Sequence, residues 1–190
     1  MAQDSRSASQ ARWSRAAQLM AVIRGEPGIT RAAAAQRLGI GTGGATDLVA
    51  RLRRICLLDE SPAPVRGRGR PTTLRGPRPG GPVVLAAGLR AGDWRLAEAA
   101  GDGAPRVVAE RSHRRISSAR LLSELGEAIT DAHRSRGGRV RAVGMSVAGT
   151  VSDSRLVQFT TRGWRDTDLS GLTAGLPGVP LLLGNDATLA

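Results

Sequence analysis

The stretch "ITRAAAAQRLGIGTGGATDLVARLRR", residues 29–54, decides how the first part of the chain folds. Thr30 is a hydroxyl N-cap ahead of an alanine-rich run, which predicts a short helix over Arg31–Leu38. Gly39 follows as the C′ residue, where a left-handed backbone ends a helix. A second helix is predicted from about Gly43 to Arg54. On it Ala45, Leu48, Leu52 and Ile55 share one face, with Val49 beside them. The opposite face presents Gly43, Thr46, Asp47, Ala50 and Arg54. Two helices joined by "LGIGTGG" have the spacing of a helix-turn-helix, in which the second helix enters the DNA major groove and the first braces it. On that reading Thr42 and Thr46 bond phosphates or base edges. Gly43 and Gly44 keep the surface flat for close backbone approach, and Arg51 and Arg54 meet the DNA backbone. Asp47 repels phosphate; it accepts from a cytosine amino group or simply favours the helix N-terminal dipole.

Upstream, Trp13 to Arg24 carries Ala16, Ala17, Leu19, Met20 and Ile23 at helical spacing, closed by Gly25 and Pro27. Residues 1–12 are expected to be disordered. They hold no apolar core of a secretory signal. Downstream, "CLLDE" and "PTTLR" read as two short strands around "SPAPVRGRGR". In that loop Arg66, Arg68 and Arg70 alternate with glycines, Gly69 among them. Glycine removes bulk, so a thin basic ribbon can approach DNA or enter a minor groove. After a helix-turn-helix and between two strands, this loop reads as the wing of a winged helix; alone it would read as a solvated linker. The winged helix-turn-helix is assigned to residues 13–75 and a Gly/Pro/Arg-rich linker to 76–82.

Beyond the linker the pattern changes to strands: Val83–Leu89, Trp94–Ala99 and Arg106–Glu110. An amphipathic helix is predicted over Ser118–Arg136, where Leu121, Leu122, Leu125, Ala128, Ile129 and Ala132 form one stripe. Val140–Val147 is a fourth strand, a short helix is expected near Leu169–Leu176, and Pro180–Leu183 is a fifth strand. This is an α/β layered domain with a mixed sheet.

Composition bounds the function. An apolar fraction of 41% supports a core, and with 2% aromatics that core is aliphatic. No segment approaches the ~20 apolar residues that span a membrane. One cysteine, Cys56, excludes an intramolecular disulfide and a multi-cysteine zinc site. The chain reads as cytoplasmic. Its net charge is +12, and every basic residue is Arg. Residues 1–80 hold 14 Arg against 5 acids, whereas residues 81–190 hold 14 against 11. Codon bias explains Arg in place of Lys but not this asymmetry, which favours a polyanionic partner for the first part.

Taken in order, the 29–54 stretch, "GRGRP", "VGMSVAGTV", "GW" and "GNDA" resemble the ROK family (repressors, open reading frames and sugar kinases), and most of all its transcriptional regulators. The resemblance implies a winged helix followed by the first lobe of an actin-like (ribonuclease H-like) ROK domain over 83–190. The family's kinases cradle ATP phosphate with Asp-x-Gly-Gly-Thr. Here that stretch is similar to "AAGLRAGDWRLA": the aspartate position falls on Gly88 and the paired glycines on Arg90 and Ala91. Phosphoryl transfer depends on positioning and charge stabilisation, so no ATP use, no catalysis and no cofactor are expected. In "GNDA" the resemblance makes Asn185 and Asp186 sugar contacts, with Asp186 also placed to cap a following helix. Gly149 of "VAGT" resembles a cleft-facing turn; a plain strand end is the alternative. The family's Glu-x-x-Gly-His segment and cysteine-rich zinc loop have no counterpart here. His113 and His133 read as surface residues, and no metal is expected. The second lobe is also without a counterpart, which leads to the expectation of a C-terminally truncated regulator.

The expected function is a DNA-binding transcriptional regulator, a repressor of sugar-related genes. It would bind double-stranded operator DNA as a homodimer and a sugar effector weakly. The alternatives are a ROK-type sugar kinase or its remnant, and a ligand-free dimerisation or interaction module.

Overall fold

Thr30 does cap a helix: its hydroxyl accepts from the Ala33 amide at 3.3 Å. The computed structural model describes residues 2–62, 73–78, 80–112, 116–152, 155–159 and 163–189. These form two compact units, residues 1–81 with 101–103, and residues 82–100 with 104–190.

The first unit holds three helices, α1 (Ala2–Gly25), α2 (Arg31–Arg37) and α3 (Thr42–Arg54), and an antiparallel pair, β1 (Leu58–Pro62) and β2 (Thr73–Pro77). Helix α1 buries Ala16, Leu19, Met20 and Ile23, one stripe at i, i+3, i+4 and i+7. These meet Ile29, Ala34, Val49, Leu52 and Leu58 in a single apolar cluster. Two expectations change here. Residues 2–12 are helical, because nothing between Ala2 and Arg24 is Gly or Pro and the run is rich in good helix formers. Gly76 and Pro77 belong to β2, since the ladder pairs them with Asp59 and Leu58.

The second unit is mixed α/β. Its five-stranded sheet has the order β10-β6-β3-β4-β5, with β3 (Val83–Leu89), β4 (Asp93–Ala99), β5 (Pro105–Ser112), β6 (Val140–Val147) and β10 (Leu181–Asn185). β3, β4 and β5 form an antiparallel meander, while β6 and β10 run parallel to β3. Alternate residues of β3 (Val83, Leu85, Ala87, Leu89) are buried, as a period of two requires. Helix α4 (Ser118–Ser135) is capped by the Ser117 hydroxyl and contributes Leu121, Leu125 and Ile129, all fully buried, to the same core. Just past its C-terminus, Arg136 grips Glu98 of β4 through two bonds, at 2.5 and 2.7 Å. That pairing lets a carboxylate sit in the core, which is otherwise costly.

Between β6 and β10 the chain makes a second, three-stranded antiparallel sheet: β7 (Thr150–Ser152), β8 (Arg155–Phe159) and β9 (Trp164–Asp168). Sequence reasoning missed it. Its strands are short, and their apolar residues Val151, Leu156, Phe159 and Trp164 are interrupted by Ser, Gln, Arg and Gly. Phe159 and Trp164 meet edge to face at 5.8 Å. The helix expected near 169–176 is a short 3-10 turn, Ser170–Thr173, because Gly171, Gly175 and Pro177 break it. The last strand runs on to Asn185, since parallel pairing with β6 continues to Val147. A short α5 (Asp186–Leu189) follows.

Candidate functional site

The turn between α2 and α3 is closed by backbone. Gly39 adopts φ +61°, its amide bonds Gln36, and the Ile40 amide bonds Ala35, both at 3.1 Å. This paired 6→1 and 5→2 arrangement is a Schellman motif, and it makes the glycine at 39 a stereochemical need. Gly41 then starts α3, with Ala45, Val49 and Leu52 buried. Thr42, Gly43, Gly44, Thr46, Asp47, Ala50 and Arg54 are exposed.

The flanks of that face are tied down. The Thr46 hydroxyl donates to the Thr42 carbonyl at 2.9 Å and accepts from Arg31 at 3.4 Å. Arg51 is half-buried, and its guanidinium stacks 5.1 Å from the Trp13 ring centroid, a cation–π contact. Trp13 was not among the expected site residues; its position one helical step before the buried stripe of α1 was the available signal. Arg31 and Arg53 both bind Glu60, at 3.0 and 2.9 Å, and Arg37 pairs with Glu26. The centre of the face is different. Around Gly43 and Gly44 there is open space for even a Cβ. A recess of about 200 Å³ beside it is lined by Arg15, Ile40, Gly44, Asp47, Leu48 and Arg51. Arg66, Arg68, Gly69 and Arg70 lie outside the described residues; the strands they join pair through Pro62 and Thr73.

In the second unit the tip of β10 meets the turn after β6. Asn185 Nδ2 donates to the Gly149 carbonyl at 2.7 Å, and its Oδ1 accepts from the Ala187 amide at 2.9 Å. Asp186 is exposed, and its Oδ1 accepts from the same amide at 2.9 Å. Gly149 has no room for a side chain: a Cβ would collide with the Gln158 carbonyl oxygen. The three expected ligand residues are therefore brought together, but Asn185 uses both ends of its amide to hold the turn and the helix start. Gly88 lies in register with Ser146 of β6, with open space where a side chain would project. Its hairpin closes through the Arg90 amide on the Asp93 carbonyl at 3.0 Å. The Asp93 carboxylate sits 3.7 Å from both Arg90 and Arg95. A groove of about 470 Å³ between α4 and β5 includes none of these residues; Trp94, Glu98, Glu127 and Asp131 border it. His113 lies outside the described residues. His133 is half-buried on α4, with its Nδ1 covered. Among the described residues no three His, Cys, Asp or Glu gather to hold a metal, and no helix is long and apolar enough to cross a membrane.

A solved ROK family transcriptional regulator, described as a homolog of the E. coli MLC protein, superposes with a TM-score of 0.66 at 18% identity, over 90% of this chain and 45% of that one. The fold is similar to that of this ROK-family structure. A ROK glucokinase from Streptomyces griseus, solved with glucose and AMPPNP, matches over 55% of this chain and 33% of its own at 19% identity and a TM-score of 0.44. A ROK hexokinase from Thermus thermophilus matches over 55% and 35% at 23% identity and a TM-score of 0.43. The chain spans less than half the length of the regulator it matches. The sequence matches no protein-family model and no curated protein.

Proposed function

We propose that the chain is a DNA-binding transcriptional regulator of the ROK type, a cytoplasmic repressor of sugar-related genes that acts on operator DNA as a homodimer. The observation that carries this reading is the face of α3: exposed, free of bulk at Gly43 and Gly44, and presented by a rigid turn from α2. A helix of that kind suits a major groove. In support, the likeness to a ROK regulator extends over more of the chain than either unit holds. On this reading α2 and α3 are the helix-turn-helix. β1 and β2 then frame a wing whose Arg66, Arg68 and Arg70 follow the DNA backbone. Gly43, Asp47, Ala50 and Arg54 face the bases and phosphates more directly than Thr46 or Arg51, whose polar groups have partners within the protein.

Titration of duplex DNA by fluorescence anisotropy across salt concentrations tests it. Neutralising about 4–6 phosphates gives log K against log salt a slope of roughly −4 to −5. Arg68→Ala with Arg70→Ala flattens that slope by about 2. An unchanged affinity and slope in the double variant would remove the wing from the reading.

The second unit is proposed to sense and not to catalyse. Where the resembled kinase motif has its aspartate, this chain has Gly88, and the nearby Asp93 carboxylate is bracketed by two guanidinium groups. Sugar-dependent ATP turnover in a coupled assay would overturn this. A sugar effector would reach Asp186, with Asn185 shaping the tip; calorimetry against a sugar panel, repeated with Asp186→Ala, tests that assignment.

A further inference from the structure

Glu60 stands on β1, outside the helix pair, yet one carboxylate engages both helices. Its Oε1 binds Arg31 of α2 at 3.0 Å and its Oε2 binds Arg53 of α3 at 2.9 Å. The Glu60 side chain is only 13% exposed, against 38% for Arg31 and 53% for Arg53. From Arg31 the chain of bonds continues to Thr46 and on to the Thr42 carbonyl, at the start of α3. Arg54, one residue beyond Arg53, is exposed, and its side chain has no hydrogen bond or ion pair among the described residues.

We infer that Glu60 is a positioning and charge-limiting residue of the DNA-binding face: it holds α2 to α3 and withholds Arg31 and Arg53 from phosphate. This rests on the DNA-binding reading above. A guanidinium already paired in a partly buried ion pair does not release a counterion from DNA as an unpaired one does. The net charge of the unit therefore overstates its phosphate contacts. Affinity for arbitrary sequence stays low while the angle of α3 stays fixed, and a helix so held discriminates sequences by geometry more than by attraction.

The test measures the full chain on a random-sequence 30-base-pair duplex over roughly 50 to 200 mM salt. Glu60→Gln keeps the shape and removes the charge. It should steepen the slope by about 1–2, so that affinity falls roughly 4- to 16-fold more across that range than in the parent protein. Arg53→Met should leave the slope as it is, whereas Arg54→Ala should reduce it by about 1. Should Glu60→Gln fail to fold by circular dichroism, the Arg53→Met and Arg54→Ala pair still decides. Equal losses of slope in those two, or a parental slope in a folded Glu60→Gln protein, would overturn the inference while leaving DNA binding intact. If the parent protein shows no salt-dependent binding at all, the DNA reading itself fails and the inference falls with it.

Discussion

Helix α3 and the tip of β10 both carry polar residues that a sequence motif would send to a ligand, and the fold treats them in opposite ways. On α3 the partners lie at the edges: Arg31 takes Thr46 on one side and Trp13 takes Arg51 on the other. The central strip of Gly43, Asp47 and Ala50 stays open to solvent. At the strand tip the partners lie at the centre. Asn185 closes the turn at Gly149, and only Asp186 is left facing outward. A hydroxyl or an amide has few hydrogen-bonding positions, and each one satisfied within the protein is one fewer for a ligand. The difference teaches that residue type marks a candidate, while the remaining free positions decide its use.

The comparison can be broken most easily at Gly149. Gly149→Ala drives a Cβ against backbone that cannot retreat like a side-chain end. It should lower stability by about 1–3 kcal/mol in calorimetric unfolding of the full chain. A silent substitution would mean that the turn is not closed as described. Next in size, Asn185→Ala removes two bonds, to Gly149 and from Ala187, and should cost about 1–2 kcal/mol. Asp186→Ala, at an exposed position, should stay within about 0.5 kcal/mol. Equal effects at 185 and 186 would erase the contrast between a structural and an available side chain. On α3 a small gain, not a loss, is expected. Gly43→Ala meets nothing within 4 Å and should add about 0.3–1 kcal/mol of stability; on the proposed DNA-binding reading it should also weaken that binding by filling the flat strip. A gain in both stability and affinity would place the DNA elsewhere.

Much of the fold was legible in the chain because its causes are local. The Thr30 hydroxyl caps the helix that follows it. Gly39 takes the left-handed backbone its position asks for. The Leu121, Leu125, Ile129 stripe faces the core of its unit. The small sheet β7–β9 was not legible, because its pairing is set by Phe159 and Trp164 meeting across strands and not by alternation within one. The helix before Trp13 escaped for another reason: residues 2–12 have helix-forming composition but no apolar stripe to mark them. The stacking of Arg51 on Trp13 escaped because an arginine on a helix surface looks the same whether its face is covered or free.

By itself the sequence determined where α2, α3 and α4 begin and end, which stripes are buried and how unevenly the charge is distributed, since those follow from neighbours within a few residues. Only the tertiary structure decided which polar groups remain available. The partners that occupy Thr46, Arg31 and Asn185 lie 15, 29 and 36 residues away. No local pattern encodes a hydrogen bond across that distance; it exists only once the core has brought the two segments together.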